Sequence, residues 1–282
     1  MIRISNMNFS YTKEPFIENI SLSVNSGEIF GFLGPSGAGK STIQKILIGM
    51  LPNYYGSVIV NGIEVKSHDN TFYENIGVDF EYPSLYEKLT ARQNLDFFAS
   101  LYSGEKYCTE ELLSSVGLLR DADKKVSDFS KGMKSRLNFI KSIIHMPKVL
   151  FLDEPTSGLD PSNARVMKDL IFLQKNKGTT IILTTHNMED ATELCDRVAF
   201  IVDGKIKALN TPHNLIMQKG AKMLSYSYLK NGIEKSCICS LDSTADDETL
   251  KALIRDNKLI SIHSSEPNLG DIFMEITGRR LS

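Results

Sequence analysis

Hydrophobic and polar positions change period several times along this chain, and each change predicts an element. Residues 2–24 carry short strand-like runs separated by a polar turn at Thr12-Lys13-Glu14-Pro15. The run Glu28-Ile29-Phe30-Gly31-Phe32-Leu33 reads as a buried strand, and Ile43-Gln44-Lys45-Ile46-Leu47-Ile48 opens a helix. Val58-Ile59-Val60 followed by Asn61-Gly62 predicts a hairpin. A helix over 90–102 starts at the cap Thr90 and brings Leu95, Phe98 and Leu101 to helical spacing. Helical period returns over 109–145, broken by a polar loop near 121–128. From Lys148 the pattern runs strand, helix, strand, helix, strand. Pro161 stands in the first turn of one helix and Gly178 at its end. This alternation predicts a parallel sheet covered by helices.

After about Leu215 the character changes. Apolar and polar residues alternate over 224–229, and Asn231-Gly232 is a strong hairpin signal. Residues 246–257 and 268–277 read as helices and 258–263 as extended. This tail is shorter than the roughly 70–80 residues that usually sustain an independent core. It is expected to pack onto the main domain.

Between the buried strand and the first helix lies Gly34-Pro35-Ser36-Gly37-Ala38-Gly39-Lys40-Ser41-Thr42, which fits the pattern G-x-x-x-x-G-K-[ST]. Glycines let a backbone wrap an anion with its N–H groups inward, and the following helix adds its positive N-terminal end. Lys40 can reach the β- and γ-phosphates, and Ser41 offers a hydroxyl to Mg²⁺. The expected ligand is a nucleoside triphosphate.

Composition narrows this picture slightly. A net charge of -2 over 282 residues lacks the basic surplus of a nucleic-acid binder, so no nucleic-acid partner is expected. No window holds the roughly 18 unbroken apolar residues of a membrane helix. The N-terminus enters a strand pattern at once, without signal-peptide architecture, which predicts a cytoplasmic protein. The cysteines Cys108, Cys195, Cys237 and Cys239 have no zinc-site spacing and read as buried free thiols.

Two further strand ends carry chemistry. Asp153 and Glu154 follow the apolar run Val149-Leu150-Phe151-Leu152 and emerge where open α/β sheets bind ligands. Asp153 is placed to hold Mg²⁺, and Glu154 to polarise the water that attacks the γ-phosphate. His186 follows Ile181-Ile182-Leu183-Thr184-Thr185 on the same edge, within reach of that phosphate.

Together these motifs resemble the ATP-binding subunit of an ABC transporter over roughly residues 1–215. Phe129-Ser130-Lys131-Gly132-Met133-Lys134-Ser135-Arg136 stands where that family has its signature, typically Leu-Ser-Gly-Gly-Gln. Ser157-Gly158-Leu159-Asp160 matches the loop after the family's catalytic glutamate, His186 its switch histidine, and Tyr11 the aromatic residue that stacks on adenine. The resemblance implies an α/β P-loop NTPase fold of the ABC ATPase type: a mixed sheet core, an antiparallel β subdomain, and a helical signature subdomain at about 84–146. Residues 216–282 would form a small α+β accessory domain.

The resemblance further implies ATP and Mg²⁺ as cofactors. ATP would be gripped between the P-loop of one copy and Ser130, Lys131, Gly132 and Asp160 of a second copy, or of a homologous subunit, in a head-to-tail dimer. A separate transmembrane permease would be the partner, contacted around 81–94, with the chain peripheral on the inner face of the cell membrane. The alternative is a soluble ABC-type ATPase or nucleotide-gated regulator not coupled to transport.

The chain departs from the family pattern at Lys131, Met133 and Ser135 of the signature, and at Glu81, where a glutamine is usual. A carboxylate there still binds Mg²⁺ or water through oxygen, and its charge is expected to slow hydrolysis without a permease. Glu81-Tyr82-Pro83, the form Ser-Lys-Gly-Met-Lys, and the tail from Ser265 through Phe273 to Thr277-Gly278-Arg279 are similar to the bacitracin, lantibiotic and multidrug exporter branch.

Overall fold

The computed structural model describes residues 2–219, 223–230, 232–265 and 267–278. The chain divides into two compact units between Thr211 and Pro212.

The first unit opens with β1 (Ile2–Phe9), β2 (Ile17–Val24), β3 (Ile29–Leu33) and helix α1 (Lys40–Leu47). β4 (Tyr55–Val60), β5 (Ile63–Glu64) and β6 (Ile76–Asp79) follow. Three helices come next: α2 (Ala91–Ser100), α3 (Thr109–Ser115) and α4 (Lys131–Ile143). The unit ends with β7 (Val149–Asp153), α5 (Pro161–Asn176), β8 (Thr180–Thr185), α6 (Met188–Leu194), β9 (Arg197–Val202) and β10 (Lys205–Asn210).

Two sheets result. The antiparallel sheet has the order β2-β1-β4-β5 and the mixed one β10-β9-β3-β8-β7-β6. In the mixed sheet β9, β3, β8, β7 and β6 run parallel and only β10 is antiparallel. β3 and β8 are buried at every position, as the unbroken apolar runs require when both faces are covered. One core joins the antiparallel sheet (Met7, Ile20) to α1 (Ile43, Leu47) and to one face of the mixed sheet (Phe30, Phe32, Ile182). On the other face α6 packs against β3 and β8, and α4 against β6. Helices α2, α3 and α4 pack on one another as the helical subdomain. Thr90 caps α2 with a full capping box, its side chain accepting from Gln93 N–H while Gln93 accepts from Thr90 N–H.

The second unit comprises α7 (Pro212–Lys219), β11 (Met223–Lys230), β12 (Ile233–Ser240), α8 (Glu248–Arg255), β13 (Leu259–Ser265) and α9 (Leu269–Thr277). Its antiparallel sheet, β12-β11-β13, packs Leu224 and Tyr226 against Leu250 and Leu253 of α8. Lys230 pairs with Ile233 beside Gly232, while Asn231 of the expected hairpin signal lies outside the described residues, as do Glu266 and Arg279. All four cysteines are free thiols, and one expectation is corrected: Cys195 is buried, but Cys108 is exposed and Cys237 and Cys239 are half-buried. Cys108 lies just before α3, outside any apolar stripe, where nothing covers it.

Candidate active site

Parallel strands deliver their C-terminal ends to one edge of a sheet, and register decides which residues meet there. Leu33 of β3 pairs with Thr185 of β8, Thr184 of β8 with Asp153 of β7, and Leu152 of β7 with Asp79 of β6. The phosphate-loop motif follows Leu33, Glu154 follows Asp153, His186 follows Thr185, and Glu81 stands two residues beyond Asp79. One cleft of about 290 Å³ is accordingly lined by Ser36–Thr42 together with Glu81, Asp153, Glu154, His186 and Phe16.

The loop is shaped by backbone demands that only glycine meets. A Cβ on Gly34 would lie 2.1 Å from the Ile201 carbonyl oxygen, and Gly39 has φ +108°. Gly39 is the N-terminal cap of α1 and has no side chain to satisfy the helix's first N–H groups. These donors, with the helix dipole, form a phosphate cradle. Lys40 is buried, and its ammonium donates to the Gly34 carbonyl at 2.6 Å and the Pro35 carbonyl at 3.1 Å. Burial pulls its pKa below the ordinary lysine value, opposed by the charges of Glu154, Asp153 and Glu81. The cleft thus juxtaposes one desolvated cation with three carboxylates, a balance that an arriving polyphosphate and a divalent cation would both alter.

Glu154 adopts φ +49°, the left-handed region that costs a residue with a Cβ. Its N–H donates to the Thr184 carbonyl at 2.9 Å, which holds the strained turn on the strand end. Both carboxylate oxygens are engaged. Oε1 lies 2.8 Å from His186 Nδ1, and Oε2 accepts from the Thr185 hydroxyl at 3.1 Å. The Thr185 oxygen itself accepts from the Asn187 N–H at 2.9 Å, so its proton is directed at Glu154. A carboxylate facing His186 Nδ1 selects the tautomer protonated there and leaves Nε2 for a ligand. Asp153 is fixed similarly, accepting from the Thr184 hydroxyl.

Of the remaining predicted residues, Ser130, Lys131, Gly132 and Asp160 form a second group outside the lining of this cleft. Ser130 caps α4, accepting from Met133 N–H at 3.3 Å. Asp160 caps α5, accepting from Asn163 N–H at 3.0 Å and Asn163 Nδ2 at 2.6 Å. Asn163 lies against Gly132, where an added Cβ would approach it to 2.8 Å, and the Lys131 ammonium covers Gly158. The two helix starts are therefore locked together by their own side chains. Tyr11 belongs to neither lining. It packs edge-on against Phe9 and Phe16, and its hydroxyl lies 3.0 Å from Thr42 Oγ1.

Among the described residues no group of three or more His, Cys, Asp or Glu side chains could cage a metal. The oxygen set of Ser41, Asp153 and Glu81 suits Mg²⁺ nonetheless, because that ion binds through few protein oxygens and completes its shell with water and phosphate.

Comparison with known proteins fits this geometry. The family model described as "ABC transporter" matches residues 17–157. Over its whole length the chain is 47% identical to the fluoroquinolones export ATP-binding protein MT2762 of Mycobacterium tuberculosis, covering 95% of that protein. The chain belongs to the ABC transporter family. It is one of the family's ATP-hydrolysing subunits. The linearmycin resistance ATP-binding protein LnrL of Bacillus subtilis is 32% identical, with 100% of this chain and 99% of that one covered. A solved structure described as the ATP-binding subunit of an ABC transporter superposes with a TM-score of 0.70 at 29% identity, over 77% of this chain and 92% of that one. No helix of the described residues is long and apolar enough to cross a membrane.

Several residues of this ABC subunit's site escape motif reading. Thr185 and Phe16 are two. Another is a buried polar cluster behind the cleft, in which Asn138 of α4 donates to Asp79 and accepts from Lys141 Nζ at 2.7 Å. Burial pushes the Asp79 carboxyl up to about 7 and pulls the Lys141 ammonium down to about 8, each opposed by the other's charge. A signal existed for Asp79 and Asn138: a carboxylate ends an apolar strand, and an asparagine interrupts the apolar run Leu137-Asn138-Phe139-Ile140.

Proposed function

We propose that this subunit binds Mg·ATP between two head-to-tail copies, or with a homologous partner, and hydrolyses it to drive a separate membrane permease that exports a drug, peptide antibiotic or similar compound. The observation that carries this reading is the Glu154 carboxylate, held by Thr185 and His186 in the cleft that also contains the Lys40 ammonium. Glu154 takes the proton of the attacking water, and His186 Nε2 hydrogen-bonds the γ-phosphate. Lys40 exchanges its loop carbonyls for phosphate oxygens, and the free N–H groups of α1 bind the β-phosphate. When bound, Mg²⁺ would neutralise phosphate charge, with Ser41 and Asp153 as its protein-side oxygens. Ser130, Gly132 and Asp160 of the opposite copy would close on the same triphosphate, and Tyr11 would flank the base.

Export is supported by the Mycobacterium tuberculosis relative, which is named for fluoroquinolones export, and a drug-like cargo by the Bacillus subtilis relative, which is named for linearmycin resistance. A permease partner is supported by aromatic surface beside Glu81: Tyr82, Tyr86 and Phe97 are all exposed. An adjoining apolar groove is lined by Phe80, Phe98 and Tyr102. Such a partner would place the chain on the inner face of the cell membrane. The test is recovery of the Glu154→Gln protein with Mg·ATP from detergent-solubilised host membranes. Co-purification of a multi-span membrane protein is expected. A monomer without such a companion would overturn the reading.

A further inference from the structure

The segment that carries Glu81 is tied to α4 at both of its ends. At the start, Asn138 Nδ2 donates to Asp79 Oδ1 on the last residue of β6. At the finish, Ser84 N–H donates to Asn138 Oδ1 at 3.2 Å, and Lys141 Nζ donates to the Ser84 carbonyl at 3.0 Å. Lys141 also donates to Asn138 Oδ1 at 2.7 Å, which closes the network. Asn138 and Asp79 are almost wholly buried, and Lys141 nearly so. Only residues 80–83 lie between the two ties, so the placement of Glu81 is bounded by anchors two residues before it and three after it.

A network of this kind is a poor choice for stability alone. Apolar side chains of similar volume would fill the space between β6 and α4 without desolvating an acid, an amide and an amine. What the polar groups add is geometry, since each hydrogen bond fixes a direction that packing leaves free. The same α4 starts at the Ser130 cap, about 12 Å from Asn138 along the helix at 1.5 Å per residue. The Lys141 ammonium also sits 4.9 Å above the Phe98 ring, and both residues line the apolar groove beside Glu81.

We propose that Asn138 and Lys141 are positioning residues for Glu81, making its loop move as one body with the helix that begins at Ser130. The inference rests on the assignment of Glu81 to the metal or water of the reaction, where a carboxylate slower than the usual glutamine still contributes to the rate when correctly placed.

The experiment is a double-mutant cycle on Mg·ATP hydrolysis by the full chain. Asn138→Leu is expected to lower kcat by about tenfold or more while leaving KM for Mg·ATP within about twofold, because misplacing one group costs rate rather than binding. In a Glu81→Ala background the same substitution should change kcat by less than about twofold, since its target is gone. Lys141→Met should repeat this behaviour, and Lys141→Arg, which keeps a donor, should restore most of the rate. The Lys141 pair serves alone if Asn138→Leu does not fold. Equal losses with and without Glu81, or KM rising in step with the fall in kcat, would overturn the proposal. Unchanged kinetics for Glu81→Ala alone would remove the assigned role of Glu81 and the inference with it, while leaving Glu154 and the ATPase reading intact.

Discussion

Two helices of this subunit begin with the residues a phosphate would meet, and they begin differently. α1 starts at Gly39, which offers no side chain to its own first turn and leaves the N–H groups open toward the cleft. α4 starts at Ser130, whose hydroxyl already accepts from Met133 N–H, with Gly132 pressed against Asn163 beside it. The first helix start has no side-chain cap, and its loop carbonyls hold the Lys40 ammonium. The second is satisfied by itself and exposed. A helix end whose donors are unpaired gains from any anion, whereas a capped end must exchange an existing hydrogen bond for a new one. Under the proposed function, this difference would have nucleotide bind first to α1, with α4 acting only when a second copy presses it onto the same triphosphate.

The largest effect is expected at Glu154, the residue both helix ends would serve in the proposed dimer. Glu154→Gln keeps the hydrogen bond from Thr185 but loses the base, so kcat should fall by about a hundredfold or more. With chemistry blocked, both ends stay engaged, and size-exclusion chromatography with Mg·ATP should show a dimer. Near-normal turnover in this variant would sever Glu154 from the reaction.

Lys40→Ala attacks the first helix start alone. Charge-assisted hydrogen bonds are worth about 1.5–3 kcal/mol, so ATP affinity should fall by roughly tenfold to a hundredfold in calorimetric titration. Unchanged affinity would show that the cradle's N–H groups suffice and that the contrast between the two ends is overstated.

How much of this contrast could be read in advance follows the same division. The phosphate loop, Asp153-Glu154 and His186 are legible because each sits directly after its own apolar run, and strand ends carry ligands. Their neighbours are not. Thr185 matters because the pairing of β8 with β3 and β7 sets it beside Glu154, and register is invisible along a single strand. Phe16 reaches the cleft from the position just before β2, at the end of a polar turn that reads only as a connection. The element boundaries were close: the helix expected over 90–102 spans Ala91–Ser100 with the expected cap. The cysteines show the opposite limit. Cys108 is apolar enough to suggest burial, yet exposure is decided by what packs over it, and nothing does.

Ser130→Ala addresses the second helix start. Loss of the cap should cost about 1 kcal/mol of stability, an ordinary value for such a change. If Ser130 also meets the other copy's triphosphate, turnover should drop severalfold while ATP affinity measured on the monomeric protein stays the same. Parallel loss of affinity would place Ser130 in the binding cleft of its own chain and erase the distinction between the two ends.

The smallest and most discriminating change is Gly132→Ala. Two terms of similar size oppose each other in the folded chain. Alanine in place of glycine within a helix stabilises by about 0.5–1 kcal/mol. Against this, the new methyl would sit 2.8 Å from the Asn163 amide and must push it aside, straining the bond from Asn163 Nδ2 to Asp160. The displaced atoms are the end of a side chain, so the clash is relieved by rotation, and the melting temperature should change little. Asp160 would lose a donor that helps hold its pKa below the ordinary aspartate value. If the locked pair of helix starts is what the second copy offers the nucleotide, turnover should fall a few-fold with stability and ATP affinity intact. Turnover that follows stability alone would make the lock between Gly132 and Asn163 a packing detail, with α4 acting through Ser130 by itself.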